Sequence, residues 1–394
     1  VFSPPALRKV PGQRSLTRNP ASRRRALEPM LALCTRGPVG WSTPAVQAVR
    51  NPVVRREPAF QCARCSILLM ADHSDVRWLD PIDPNQGDME PSSESATVMP
   101  IFPLGVTYLP YTTTVLNIFE PRYRQMFNDI LMNGARRFAV VNIDAETGRF
   151  AEVGVIFYLD ELKEVSEQTD DRVKYIGTHS VKGRVEIKKV LNPSAGATRE
   201  TYMKAEVEDF EDEDEGAGAD AEKAVADKFI ELVGVQTKLG EEPRFTEAVK
   251  TNLHLGPGTG PEERGLWGTV ALWQQFLEQR AAVLGQKMQR DIQKGVVTYL
   301  KANSLADELV NARGEVRMED LPAPLLQEIR EIQERYRDEI EAADADPYSL
   351  NFQVMLQARS HAERLELFGG ILDQERKRLA ARATLQAMFS DEGK

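Results

Sequence analysis

Between residues 98 and 210 apolar positions fall in short runs that alternate with polar ones, and beyond residue 219 they recur at steps of three and four. The first pattern predicts half-buried antiparallel strands and the second predicts helices. Seven strands are expected: Met99–Leu104, Thr113–Phe119, Arg137–Ile143, Glu152–Leu159, Tyr175–Val181, Arg184–Val190 and Tyr202–Phe210. One helix interrupts them, from Pro121 to about Met132. Proline suits a first helical turn because its missing N–H would lack a partner there anyway. Tyr123, Met126, Phe127, Ile130 and Leu131 then share one face, and Asn133-Gly134 supplies the stop. The expectation is a closed or nearly closed β unit carrying one helix.

Downstream, Leu266, Val270, Trp273, Leu277, Ala281, Leu284, Met288, Ile292 and Val296 form a nearly continuous stripe that predicts a helix from about Pro261 to Leu300. Such a helix would be roughly 60 Å long. Leu325, Ile329, Ile332, Tyr336 and Ile340 mark a second helix, starting after Pro322 and Pro324. A third apolar stretch runs through Leu350–Leu356 and resumes at Ser360, which stands at capping-box spacing from Glu363. Leu365, Phe368, Ile371 or Leu372, Leu379 and Leu385 supply its apolar face. These stripes read as the core of a helical bundle rather than as a partner surface. The fold class is therefore α+β: a β-barrel subdomain at 98–215, then a helical bundle with a long helix at 219–390. Glu211-Asp-Glu-Asp-Glu215 separates them and reads as a solvated acidic linker, not as a calcium loop. Gly256-Pro-Gly-Thr-Gly260 reads as a mobile connection between helices.

Charge adds a further boundary. Residues 1–71 hold 11 Arg and one Lys against two acidic residues, a net of +10, so residues 72–394, with 38 basic and 58 acidic residues, carry −20. An Arg-rich, acid-poor leader reads as an organelle transit segment; the alternative is a basic arm for nucleic acid or acidic lipid. Residues 72–97 have few large apolar side chains and read as a disordered linker, with Trp78-Leu79 able to dock back onto the domain. Cys34, Cys62 and Cys65 all lie in the leader, and the Cys62/Cys65 pair is only half of a zinc site. No window approaches the roughly 20 apolar residues of a membrane span.

Met99-Pro-Ile-Phe-Pro-Leu104, Asn117-Ile-Phe-Glu-Pro-Arg-Tyr-Arg124 and the helical Ser360-His-Ala-Glu-Arg-Leu-Glu-Leu stretch together resemble the Lon protease amino-terminal domain, over roughly Met99 to Arg382. Glu375-Arg-Lys-Arg-Leu-Ala-Ala-Arg382 is similar to the ends of stand-alone relatives in cyanobacteria and plastids. The resemblance implies a PUA-like antiparallel barrel followed by a helical bundle, a role in recognising protein substrates or partners, and no cofactor. Its signature residues are Phe102, Pro103, Leu104, Phe119, Glu120, Pro121, Arg122 and Tyr123. Structural roles are expected for them: Phe119 and Tyr123 filling the space between helix and sheet, Glu120 favouring the positive helix start and Arg122 forming an ion pair.

Chemistry beyond binding finds little support. No glycine-rich loop ends in the Lys and Ser/Thr that a nucleotide phosphate needs. Pro193-Ser-Ala-Gly196 matches the tetrapeptide around the nucleophile of Lon proteases, with Lys238 at about the spacing of their catalytic lysine. Such a lysine must be desolvated to lose its proton beside the hydroxyl, and here an acidic run favours the charged form; Ser194 reads as part of a turn of small residues. Histidines 73, 179, 254 and 361 have no zinc-motif spacing, and His179 is expected at the surface or in a hydrogen bond. The expected protein is a non-catalytic, metal-free binding module for clients or partners in an organelle, the chloroplast or alternatively the mitochondrion. A structural subunit of an organellar complex is the alternative. RNA binding has only the small patch Lys182, Arg184, Lys188 and Lys189 on a chain whose main part is acidic. Oligomeric state is left open.

Overall fold

A computed structural model describes residues 32–33, 71, 73–144, 146–213, 218–305, 315–316, 321–345 and 348–391. The Arg-rich leader with its three cysteines therefore lies outside the described residues, apart from 32–33 and 71.

Six strands form one sheet: β1 (Thr97–Leu104), β2 (Thr113–Ile118), β3 (Arg137–Asn142), β4 (Val153–Glu164), β5 (Tyr175–Val190) and β6 (Met203–Asp209). Their order is β2-β5-β4-β3-β1-β6, and β5 pairs again with β6, which closes five strands into a ring with β2 attached outside it. All pairings are antiparallel except β1 with β3. Closure is possible because β5 is long: its first half pairs with β2 and the end of β4, its second half with β6 and the start of β4. Register shifts at Val155/Phe157, Leu159/Glu161 and Ile187/Lys189 add the local twist that bends strands into a ring. The two strands expected at Tyr175–Val181 and Arg184–Val190 are thus one. Lys182 and Gly183, between the two expected strands, lie within it.

Alternation along the strands splits their side chains between two cores. Ile101, Ala139, Val141, Ile156, Val185, Ile187, Ala205 and Val207 form one. Phe102, Phe138, Val140, Val155 and Phe157 face the other way, onto helix α1 (Pro121–Met132) and a larger core shared with the bundle. Helix α1 keeps its expected limits, with Pro121 in the first turn and Asn133 as C-cap.

Of the expected disordered linker 72–97, residues 73–96 lack regular structure yet are held along the barrel, and Thr97 already belongs to β1. Val76 and Trp78 are buried, Trp78 bridges Ala151, Met89 N–H donates to the Leu191 carbonyl at 2.7 Å, and Ser92 N–H donates to Glu206 at 2.8 Å. His73 lies 2.7 Å from Asp144. A few contacts to residues distant in sequence order this segment, which local composition cannot reveal.

Among the described residues, short α2 (Ser194–Thr198) lies between β5 and β6, and α3 (Ala219–Leu239), α4 (Leu266–Ala302), α5 (Ala323–Ala342), α6 (Leu350–Gln357) and α7 (His361–Asp391) follow the barrel. The long helix begins at Leu266 rather than near Pro261. The preceding glycine-rich segment is a compact loop, not a loose connection: Leu266 N–H donates to the Gly256 carbonyl at 2.7 Å, and a Cβ on Gly265 would sit 2.1 Å from that carbonyl oxygen. Helix α7 opens close to the expected capping box. Ser360 Oγ accepts from Glu363 N–H at 3.1 Å, while Glu363 accepts from Arg359 N–H at 3.0 Å, one residue earlier than the standard motif.

The chain divides into two compact units. One comprises Glu57–Leu284 and Glu339–Lys394, and holds the barrel, α3, the first half of α4, α6 and α7. Phe229, Phe245, Trp273, Phe276 and Phe368 form the aromatic centre of its helical part. The other includes Gly285–Asp338, where Ile292, Val296 and Leu300 pack with Val316, Leu321, Leu325 and Ile329.

Candidate functional site

Where the barrel meets the helices of its own unit there is a cavity of about 660 Å³, within the range of ligand sites. Its walls come from β5 (Lys182, Arg184), the end of β6 and the following residues (Phe210, Asp212), the start of α4 (Trp267) and α7 (Arg364). Arg364 is 1% exposed, and its two terminal nitrogens donate to the two carboxylate oxygens of Asp212 at 2.6 and 2.5 Å. Arg184 donates to the same carboxylate and to the carbonyls of Leu356 and Ala358, at 3.0 and 2.6 Å. The aromatic rings lie against these cations: Arg184 stands 4.8 Å from the Phe210 ring centre, and Arg364 stands 5.1 Å from that of Trp267.

The electrostatics follow from burial. Desolvation and the neighbouring Arg364 pull the Arg184 guanidinium down to about 10, still charged at neutral pH. Burial works against ionisation of Asp212, but Arg364 and Arg184 outweigh it and hold the carboxyl below its ordinary range. One carboxylate between two guanidiniums leaves a net positive charge at an aromatic wall. Asp212 is thus not a solvated linker residue, since it locks β5 to α7, whereas the neighbouring Glu213 stays exposed and pairs with Arg359 at 2.5 Å. Sequence reasoning missed this cluster because Asp212 stood in an acidic run and Arg184 in a small basic patch. A signal was present in α7, where His361, Arg364 and Glu375 fall at helical spacing along the stripe of Phe368, Leu372 and Leu379, and all are buried. Charged residues on an apolar stripe imply buried partners.

The signature residues assemble elsewhere, at the junction of β1, β2 and α1. Phe102 stacks on Tyr123 with ring centres 4.0 Å apart; Arg122 lies 4.5 Å from the Tyr123 ring centre and 2.9 Å from Glu120. Burial raises the Tyr123 hydroxyl to about 12. Pro103 and Leu104 pair with Val141 and Asn142 of β3. Glu120 is the N-cap of α1, although its side chain makes no capping hydrogen bond. Phe119 does not fill the space between helix and sheet: it is 56% exposed. It continues the outward alternation of β2, in which Thr113, Val115 and Asn117 are exposed and Ile118 is buried.

Ser194 starts α2 and Lys238 lies exposed in the last turn of α3. His179 is wholly buried rather than at the surface. Its ring is caged by Phe127, Phe138 and Phe157 at 5.4–5.6 Å, and neither nitrogen makes a hydrogen bond of normal geometry. Desolvation lowers its pKa to about 4. Of the basic patch, Arg184 is buried as above, Lys188 sits between Glu186 and Glu208 at 2.6 and 2.9 Å, and Lys189 donates to the Glu90 carbonyl. No helix among the described residues is long and apolar enough to cross a membrane.

The family model for the ATP-dependent protease La (LON) substrate-binding domain matches residues 98–374, which takes in the cavity, the signature residues, Ser194 and Lys238. No curated protein sequence is significantly similar to the chain. Among solved structures, a Lon N-terminal domain protein from Xanthomonas campestris is 20% identical, with a TM-score of 0.27, covering 40% of this chain and 89% of that one. The N-terminal domain of the Mycobacterium avium complex Lon protease is 12% identical, with a TM-score of 0.28 and the same coverage. The match to more than half of its length places this chain in the Lon substrate-binding domain family.

Proposed function

We propose that the chain is a non-catalytic protein-binding module that holds client or partner proteins, using the cavity at the barrel–helix seam as an anchor point. The observation that carries this is the coincidence of the family match with a cavity walled by Trp267, Tyr111, Tyr158, Phe210, Arg184 and Arg364. Trp, Tyr and Arg are the residues that contribute most where proteins bind one another. The exposed position of Lys238 supports the absence of Ser–Lys chemistry, which needs a desolvated lysine. The pairing of Lys188 and Lys189 counts against RNA, which would need those cations free to meet phosphates. The Arg-rich leader supports import into an organelle, the chloroplast in the first instance.

Crosslinking and affinity purification of the tagged protein from its own cells tests this, with mass spectrometry of the captured proteins and of the mature amino terminus. Capture of unfolded clients or a defined protein complex, reduced by Trp267→Ala, is expected. Failure to capture any protein would overturn the proposal.

A further inference from the structure

Strand β2 lies at the end of the sheet order and pairs with β5 on one side only. The Thr112 carbonyl accepts from Val181 N–H at 2.9 Å. In an antiparallel ladder this turns the backbone of every second residue, through Ile118, towards β5, and that of Thr113, Val115 and Asn117 outwards. Among the described residues no strand pairs with that outer side.

The chemistry of this edge contrasts with that of its counterpart. The terminal residues of β4, 160–164, also pair on one side, and they carry Asp160, Glu161, Lys163 and Glu164. Charges of this kind guard a sheet edge against further pairing. Strand β2 reads Thr-Thr-Val-Leu-Asn-Ile, without charge or proline. Val115 is 58% exposed, and the exposed Phe119 follows on the same side of the alternation.

We propose that β2 is a docking edge that binds an extended, uncharged segment of a client protein as an added antiparallel or parallel strand. Main-chain hydrogen bonds from Thr113, Val115 and Asn117 supply the affinity, and Val115 with Phe119 select apolar side chains at alternate positions. A second copy of this chain is a poorer occupant. An edge of six residues is only about 20 Å long, and pairing two of them buries far less than the roughly 800 Å² per partner of a stable interface. A transient client segment suits so small an edge. This inference rests on the proposal that the chain binds proteins.

The test uses the full chain and two probes, a fluorescein-labelled peptide of alternating Thr and Val and reduced, carboxymethylated lactalbumin, with anisotropy as readout. Asn117→Pro removes an outward N–H and leaves the β2–β5 ladder intact; Val115→Lys places a charge on the edge. Asn117→Pro is expected to weaken peptide binding about fivefold or more, the effect of one lost hydrogen bond, and Val115→Lys to weaken it through the charge it puts on the edge, with melting temperature retained in both. Met132→Ala, on α1, should bind as the native chain does. If both edge variants bind the peptide normally while lactalbumin is still captured, the edge assignment fails and the protein-binding proposal stands. If sedimentation shows a dimer that Asn117→Pro abolishes, the occupant is a second copy and the inference is overturned. If the native chain binds neither probe, the protein-binding proposal itself falls.

Discussion

At the scale of single residues, His179 ties a buried titratable group to the barrel's stability. Its pKa is about 4 in the fold against 6.5 in an ordinary environment, because the phenylalanine cage cannot solvate an imidazolium. Above pH 6.5 the ring is neutral both folded and unfolded, and nothing is lost. As pH falls from 6.5 towards 4 only the unfolded chain takes up the proton, so stability declines, by about 3 kcal/mol once pH is below 4. His361, lowered by burial and by Arg364, acts in the same direction. His179→Leu should therefore flatten, without abolishing, the dependence of the urea midpoint on pH between 6.5 and 4; an unchanged slope would show that the cage admits solvent. A second residue-level test is Gly154→Ala. A Cβ there would stand 2.4 Å from the Val140 carbonyl oxygen in the neighbouring strand, and the variant should lose about 2 kcal/mol or more in chemical denaturation.

Between elements, buried ion pairs and exposed ones should behave differently. Asp212 joins β5 to α7 through Arg184 and Arg364, so Asp212→Ala would leave two buried guanidiniums facing each other and should cost about 3 kcal/mol. Glu213→Gln breaks only the solvent-exposed contact with Arg359 and should leave the denaturation midpoint unchanged. Equal midpoint shifts would contradict the different burial of the two carboxylates. The same contrast explains what could be read from sequence. Strands β1 and β2 and helix α1 were legible because each carries its own period and its own turn or cap residues. Asp212 was not, because its partners are 28 and 152 residues away and an acidic run looks solvated without them. Residues 73–96 were not legible as ordered for the same reason, apart from the docking expected of Trp78-Leu79, their fixed contacts being to β6 and to residues around Phe150 and Leu191. Strand β5 shows the converse: its two halves were expected as separate strands, whereas it runs through Lys182 and Gly183 and spans the ring.

For the whole molecule, the barrel, α3, α6, α7 and the start of α4 form one unit with the seam cavity on it, and the outer edge of β2 is available on the same unit. The sequence placed the family signature at β1, β2 and α1 but could not separate residues that build this junction from those that face outward. Only the registered alternation of β2 puts Phe119 on the exposed side. Hydrogen–deuterium exchange of the full chain, with and without saturating unfolded lactalbumin, tests the protein-binding account most directly. The expected result is slowed exchange at residues 113–119 and around Phe210 and Trp267, with α1 unaffected. Unchanged exchange at both places, with lactalbumin bound, would contradict the account by placing the client on another surface.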